Sequence, residues 1–385
     1  MRISKHPLAK TLLSLAIASA FPAQLMAASS TDTEIDALWQ TIGDLQQQVA
    51  AAEEWKNPNT LIHMSGFGSV GYAKQESTDG SFNVGGFSPI FHYQYRDLLM
   101  LEAELDFVVT EAGDTEAAME YFTLDLFLND NAVLVMGKFL SPLGNFRQNL
   151  HPSWINKLPS APAGFMHDQA APNADVGIQL RGGFKLGAVD ASYAVYAGNG
   201  VAAEISGDGD EVEMVESPGM GVDGDGNKNY GGRFGLYYPD MKLELGFSWA
   251  TGKISEREIS GENIAYENNR DWDVVGMDAG YQLNGLNVKA EYIKQEIGAL
   301  AASGAPEKAV FSANYVQVAY RFLPTKWEVV ARTGEYKTPG ATMKKTTTGV
   351  NYILASNIIA KLAFENNDMN GQSTDSTLLQ LAYGF

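Results

Sequence analysis

A period of two constrains this chain more than any other feature. From Leu61 onward, apolar and polar side chains alternate in run after run. Leu99, Leu101, Ala103, Leu105, Phe107 and Val109 fall on one side of an extended strand, and Glu102, Glu104 and Asp106 on the other. A helix would scatter those carboxylates around its circumference. Met241, Leu243, Leu245, Phe247 and Trp249 alternate in the same way with Lys242 and Glu244, as do Val316, Val318, Tyr320 and Phe322 with Gln317 and Arg321. Each segment has one apolar face and one wet face. Mean hydropathy is only −0.16, and beyond the N-terminus no apolar run is long enough for a spanning helix. A membrane barrel shows lipid only the alternate residues of its strands, so a hydrophilic average is compatible with insertion.

The runs fall near 62–74, 87–96, 98–109, 118–128, 132–140, 174–184, 188–197, 229–238, 241–252, 271–283, 285–296, 311–322, 325–336, 344–354, 358–366 and 374–385. Arg96-Asp97, Asn129-Asp130-Asn131, Pro239-Asp240, Asn284-Gly285, Leu323-Pro324 and Ala355-Ser356 read as tight turns. The connections near 75–86, 141–173, 198–228, 253–270 and 297–310 are longer and rich in Gly, Pro and charge. Bacterial transmembrane barrels have that asymmetry, with short periplasmic turns, long external loops and an even strand number. The expected fold class is therefore all-β, a transmembrane antiparallel β-barrel of about 16 strands with a short N-terminal helix.

The N-terminus supplies the export route. Arg2, Lys5 and Lys10 precede an apolar run from Thr11 to Phe21 and the small residues Ala27 and Ala28, the pattern of a signal peptide over residues 1–27. That run is about half the roughly 20 residues a spanning helix needs. In residues 28–57, Ile35, Leu38, Ile42, Leu45, Val49 and Ala52 form a short heptad seam, which Asn57, Pro58 and Asn59 break. The seam reads either as a periplasmic coiled coil or as one amphipathic helix lying against something else. Residues 58–385 make up the barrel. With 0 Cys in an exported chain, closure rather than disulfides must stabilise it. The formal net charge of −19, more negative still once the basic leader is removed, argues against nucleic acid as a partner.

Tyr93, Tyr95, Tyr237, Tyr238, Trp249, Trp272, Trp327 and Tyr352 lie near strand ends, where aromatic girdles meet the membrane interfaces. The chain closes on Leu379, Leu381, Tyr383 and Phe385 in alternation, which resembles the C-terminal strand of Gram-negative porins. Met136-Gly137-Lys138-Phe139-Leu140-Ser141-Pro142-Leu143-Gly144-Asn145-Phe146 resembles the strand-to-loop junction of substrate-selective porins. These include the phosphate-selective O/P type and siderophore-type porins with an N-terminal coiled coil. The resemblance spans nearly the whole mature barrel. It implies a homotrimeric, water-filled channel in the cell outer membrane, in contact with lipid and lipopolysaccharide, through which small polar or charged solutes diffuse. The seam's own Ile and Leu positions follow the rule for two-stranded coils, so the trimer rests on the resemblance. The resemblance further implies that the third external loop, Ser141 to Asn173, folds inward and narrows the channel. In strand 132–140, Ala132, Leu134 and Met136 alternate with the also apolar Val133, Val135 and Phe139, so both faces are expected to be covered.

That loop carries Arg147, His151, Lys157 and His167 against Asp168, and five prolines restrict it: Pro142, Pro152, Pro159, Pro162 and Pro172. Those five charged or titratable residues are the expected pore constriction. The alternative is an external loop with solvated charges. On the lumen face, acids cluster early at Glu102, Glu104, Asp106 and Asp125. Bases spread over later strands at Arg181, Arg233, Lys242, Lys289, Arg321, Lys326, Arg332 and Lys361, diluted by Glu244, Glu291, Glu328 and Glu365. Opposed walls of this kind set up a transverse field.

Two motifs carry no chemistry here. Gly66-Phe67-Gly68-Ser69-Val70-Gly71 matches a dinucleotide fingerprint, but strand residues follow where a helix is required. The glycines read as points of close approach. Asp223-Gly224-Asp225-Gly226-Asn227 opens like an EF-hand, yet Lys228 takes the glycine position and Phe234 that of the closing glutamate. With Asp208, Asp210, Glu211 and Glu213, this acidic loop reads as solvated, or else as a contact for divalent cations or lipopolysaccharide. No G-x-S-x-G or H-E-x-x-H pattern accompanies His63, His92, His151 and His167. No catalytic residue, metal or cofactor is expected, and the chain is not expected to be an enzyme. A barrel-rim hydrolase and a receptor or adhesin acting through external loops are the alternatives to a pore.

Overall fold

Lipid offers the backbone no hydrogen-bond partner, so a strand can cross it only if neighbours pair with both of its edges. The protein is described here by a computed structural model covering residues 60–385 apart from 111, 206–210, 218–222 and 261–262. The expected signal peptide and the helix of residues 28–57, like Asp208 and Asp210, lie outside the described residues. Sixteen strands form the wall. They are β1 (Thr60–Gln75), β2 (Ser81–Tyr95), β3 (Leu99–Val109), β4 (Thr115–Asn129), β5 (Ala132–Leu140), β6 (Ala174–Leu186), β7 (Val189–Gly198), β10 (Asn229–Tyr238), β11 (Leu243–Ser260), β12 (Asn263–Leu283), β13 (Leu286–Ile297), β14 (Ala309–Arg321), β15 (Trp327–Lys337), β16 (Thr342–Ala355), β17 (Ile358–Met369) and β18 (Gln372–Gly384). A hairpin of β8 (Ala202–Ile205) and β9 (Val212–Glu216) occupies the connection between β7 and β10.

Wall strands consecutive in the chain pair antiparallel, and β7 pairs with β10 across the long connection. The ring closes where β18 meets β1, in register from Phe67↔Gly384 to Gln75↔Ser376. At the end of that seam Gly66 N donates to Phe385 O at 3.0 Å and Phe385 N to Gly66 O at 2.9 Å. The wall therefore presents no free edge for aggregation or solvent to exploit.

Burial is inverted relative to a soluble protein. Ser248, Thr347 and Asn351 are fully buried, while their neighbours Phe247, Trp249, Val350 and Tyr352 are exposed. In β14 the register puts Phe311, Ala313, Tyr315, Gln317 and Ala319 inward and Val316, Val318 and Tyr320 outward. An exposed belt of large apolar side chains around a polar interior is the signature of a lipid-facing wall. No described helix is long and apolar enough to cross a membrane.

The sixteen runs of alternation correspond to the sixteen wall strands, but the connections differ from expectation in two places. Residues 75–86 and 253–270 were expected as long loops and are largely strand. β1 and β2 pair as far as Ala73↔Ser81, and β11 and β12 as far as Ser260↔Asn263. β8 adds to β11 in parallel at Ser255 to Arg257, where Arg257 pairs with Glu204 and Glu216. Past the membrane both faces of a strand are wet, so the period of two loses its hydrophobic contrast. Asn284-Gly285 is the expected tight turn, with φ of 46° and 88°.

Two aromatic residues leave the expected girdles. Trp272 pairs in register with Gly252 on the inner face, is 1% exposed and donates from Nε1 to Gln295 Oε1 at 3.0 Å. Tyr237 shares the inner register with Glu244 and lines the interior. Tyr93, Tyr95, Trp249, Trp327 and Tyr352 stay outside, the last two with rings 4.8 Å apart.

The glycine-rich start of β1 is a close approach, not a nucleotide site. A Cβ on Gly66 would lie 2.5 Å from Ser88 O and 2.8 Å from the Phe385 ring, whereas one on Gly68 would meet nothing closer than 3.4 Å. The extracted barrel is expected to change gel mobility on boiling. Gly66→Val should lower the temperature of that change by several degrees, reflecting roughly 1–3 kcal/mol of overpacking. Gly68→Ala should leave it nearly unchanged. Equal effects of the two, read by heat-dependent electrophoresis, would remove Gly66 from the closing seam.

Candidate functional site: the loop inside the barrel

A polar inner wall can bind backbone, and residues 141–173 use it. This segment leaves β5, makes one π-helical turn at Phe146–Leu150 and returns to β6, with Ser141 N donating to Asn173 O at 3.0 Å across its base. Between those ends it reaches the far side of the ring. β15 lies eight steps from β5 in either direction around the wall. On β15, Glu328 pairs with Lys157 at 2.6 Å, and Arg332 donates to Ser160 O at 2.6 Å. Since these partners occupy inner-face positions, the segment lies within the barrel.

Its anchors use both signs of charge. On β13, Glu291 accepts the backbone N–H groups of Asn145 at 2.8 Å and Phe146 at 3.0 Å, and on β11 Ser248 Oγ accepts that of Gly144 at 3.1 Å. A carboxylate receiving two amides at the start of a helical turn satisfies donors that have no intrahelical partner. On β17, the buried Lys361 donates to the carbonyls of Ser153 at 2.5 Å and Asn156 at 2.6 Å, and Glu365 accepts from Ser160 Oγ. Asn351 on β16 donates to Lys157 O at 2.8 Å.

Apolar packing fixes the two limbs together. Phe146 and Phe165 meet Tyr315 of β14 edge to face, with centroids 6.1 and 5.0 Å away. Val135 and Phe139 on the inner face of β5 are buried in the same cluster with Leu143. The doubly apolar β5 thus faces lipid on one side and the returning loop on the other.

The expected constriction residues separate into two groups. Arg147, His167 and Asp168 meet near Glu120 of β4. Arg147 Nε donates to Asn173 Oδ1 at 2.5 Å and its Nη2 lies 3.8 Å from Glu120, while His167 Nε2 lies 2.9 Å from Glu120. Asp168 accepts the Asn173 N–H at 3.0 Å. Burial pulls the Arg147 guanidinium below its ordinary value, against the opposing influence of Glu120 and Asp168. Burial likewise pushes the Asp168 carboxyl up, against the Asn173 amide, His167 and Arg147. His151 sits nearby, 3.8 Å from Glu104 with its ring against Phe67. Lys157 stands apart on the opposite wall with Glu328.

The expected lumen charges have partners of several kinds. Asp125 holds Arg181 at 2.5 Å, and Asp278 holds Arg233 through both terminal nitrogens, one at 2.7 Å. Glu102 accepts from Tyr121 Oη at 2.9 Å, and Asp106 from Ser88 Oγ at 2.8 Å. Arg321 lies at the short-turn rim near Thr325, and Arg332 lies beneath the loop. Because the loop is drawn toward β13–β18, a cavity of about 620 Å3 lies along the other half, lined among others by Glu102, Thr123, Gln179, Arg181, Arg233 and Glu244. Among the described residues no group of three or more His, Asp or Glu is arranged to hold a metal ion.

Sequence reasoning gave no role to Glu120, Asn173, Glu291 or Lys361 as anchors. The inner-face positions of Glu120, Glu291 and Lys361 follow from alternation, but Glu291 and Phe146 are 145 residues apart. No local spacing carries that pairing.

No family model matches the chain, and no curated protein matches its sequence. By fold it is similar to DcaP, an outer membrane channel of Acinetobacter baumannii, with a TM-score of 0.57 and 12% identity over 85% of this chain and 97% of that one. An anion-selective porin from Comamonas acidovorans gives 0.56 and 13% over 85% and 100%. A trimer form of OmpT, an outer membrane protein of Vibrio cholerae, gives 0.55 and 12% over 85% and 99%. At such identities the likeness is one of fold: a closed antiparallel barrel, as in these outer-membrane proteins.

Proposed function

We propose that this protein is a porin, a water-filled channel through which small polar or charged solutes cross the outer membrane by diffusion, and that residues 141–173 form its constriction. The observation that carries this reading is the crossing of the interior by that segment, from β5 to anchors on β15 and β17, beside a polar cavity. A barrel acting only through external loops has no use for a stiffened segment held inside it. Arg147, His151, His167 and Asp168 contribute to that constriction beside Glu104 and Glu120, and Lys157 contributes beside Glu328. In a narrow, low-dielectric passage fixed charges act with less screening than on the outer surface. We further propose a homotrimer, as in the OmpT form named above, with residues 28–57 associating as a periplasmic coiled coil. The substrate-selective type, O/P or siderophore, belongs to the same proposal through the stretch Met136 to Phe146.

Four outcomes are expected. Reconstituted into planar bilayers, the full chain conducts ions in discrete steps. A silent barrel of correct fold would point to a receptor or adhesin. Glu291→Ala removes two charge-assisted hydrogen bonds, each worth about 1.5–3 kcal/mol, so single-channel current should become noisier and larger while the barrel stays closed. Unaltered traces would mean the loop is not the limiting element. Reversing Arg147 and Lys157 together to Glu should move the reversal potential in a salt gradient toward cations, and no movement would take those two residues out of the passage. Native mass spectrometry of the detergent-extracted protein should give a trimer, and a monomer would defeat that part of the proposal.

A further inference from the structure

The cavity beside the loop has a charge pattern that solute diffusion alone does not require. Its volume of about 620 Å3 falls within the roughly 300–1,000 Å3 of small-molecule sites. Arg181 and Arg233 line it, each already holding a carboxylate of its own, Asp125 and Asp278. Glu244 lines it with Lys289 at 2.8 Å, and Asp190 with Lys185 at 2.7 Å. Glu102 accepts from Tyr121 Oη and lies 3.7 Å from His92. Apart from Glu102, each charge on this wall already has an opposite charge beside it, so an anion entering here would lose hydration and meet no uncommitted cation.

Neutral hydrogen-bonding capacity is what the wall has left. Gln179 lines the cavity, is 3% exposed, and its Nε2 has no protein partner. A buried amide without a partner is costly unless something bonds to it. Thr123 and Ser192 add hydroxyls, and the rings of Tyr121 and Tyr237 add apolar surface.

We propose that this cavity is a binding subsite for uncharged, polyhydroxylated solutes of the sugar or polyol class, with Gln179 as a hydrogen-bonding anchor. The proposal rests on the channel reading. A hydroxyl both donates and accepts, so one solute can satisfy an orphan amide and a neighbouring oxygen, while the C–H face of its ring packs on tyrosine. Sites built to bond a hydroxyl discriminate against solutes that leave their polar groups unpaired.

The test uses the full chain in planar bilayers, with sucrose, the gluconate anion and the glucosamine cation as probes, and calorimetry of sucrose binding to the detergent-extracted protein. Sucrose is expected to reduce ion current at lower concentration than either charged probe. Gln179→Leu should raise its half-blocking concentration about threefold to tenfold, the loss of one hydrogen bond. Thr123→Val, on the neighbouring strand, should act in the same direction. Arg181→Gln, which strips Asp125 of its counter-ion, should shift the preference toward glucosamine. The subsite is overturned if a charged probe blocks the native channel as well as sucrose does, or if neither Gln179→Leu nor Thr123→Val changes sucrose block. Conductance without any sucrose effect defeats the subsite and leaves the channel reading intact. Sucrose binding that Gln179→Leu weakens, in a barrel that never conducts, supports the subsite and defeats the channel reading.

Discussion

Pairing of the backbone at the seam between β1 and β18 is the constraint on which everything else in this molecule depends. Within lipid an open sheet edge would leave a row of N–H and C=O groups without partners, each costing several kcal/mol. The Phe67↔Gly384 register and the reciprocal Gly66 and Phe385 bonds remove that edge. Once the ring is closed, alternation does the sorting. Each strand must turn its apolar residues to lipid, so its polar residues have nowhere to go but inward. The polar interior is thus a consequence of closure and not a separate feature.

That interior then dictates how the loop is held. Polar and charged groups packed inside a protein need partners, and the wall meets the need with loop backbone. Glu291 takes amides, Lys361 and Arg332 take carbonyls, and Glu328 takes the Lys157 ammonium. Breaking a buried pair of this kind is costlier than never having formed it, because the remaining charge stays behind in a poor solvent. A loop fastened from β11 to β17 by such groups is stiffer than its prolines alone would make it. The aromatic contact of Phe146 and Phe165 with Tyr315 draws it toward one half of the barrel, and the open space lies along the other half.

Charge on the wall is organised by pairs more than by opposed fields. Arg181 reaches across two strands to Asp125, joining positions that a linear reading assigns to separate acidic and basic walls, and Arg233 reaches in the same way to Asp278. Three acids of β3 and β4 differ from the rest in facing histidines: His92 lies toward Glu102, His151 toward Glu104 and His167 toward Glu120. These contacts gather the described histidines, from β1, β2 and the loop, along one side of the interior.

Much of the fold was legible in the sequence, because lipid and water impose their contrast on every second residue of a strand. The alternation of Leu99 to Val109 with Glu102, Glu104 and Asp106, and the turn at Asn284-Gly285, follow from local chemistry alone. The contrast fails where a strand leaves the membrane, which is why residues 253–270 read as loop although they are largely β11 and β12. It fails again where the lumen is filled, since an apolar residue such as Trp272 can face inward once a loop covers it. The site was legible only as candidates. Arg147, His151, Lys157, His167 and Asp168 stand on one segment, and its inward course was an implication of resemblance supported by the apolar inner face of β5. The sequence by itself determined that strands with one apolar face must close into a ring. Only the tertiary structure decided that Glu291 would meet Phe146, that Lys157 would cross to Glu328, and where space would be left. Those pairings join residues more than a hundred positions apart, and it is the curvature of the closed wall that brings them within hydrogen-bond distance.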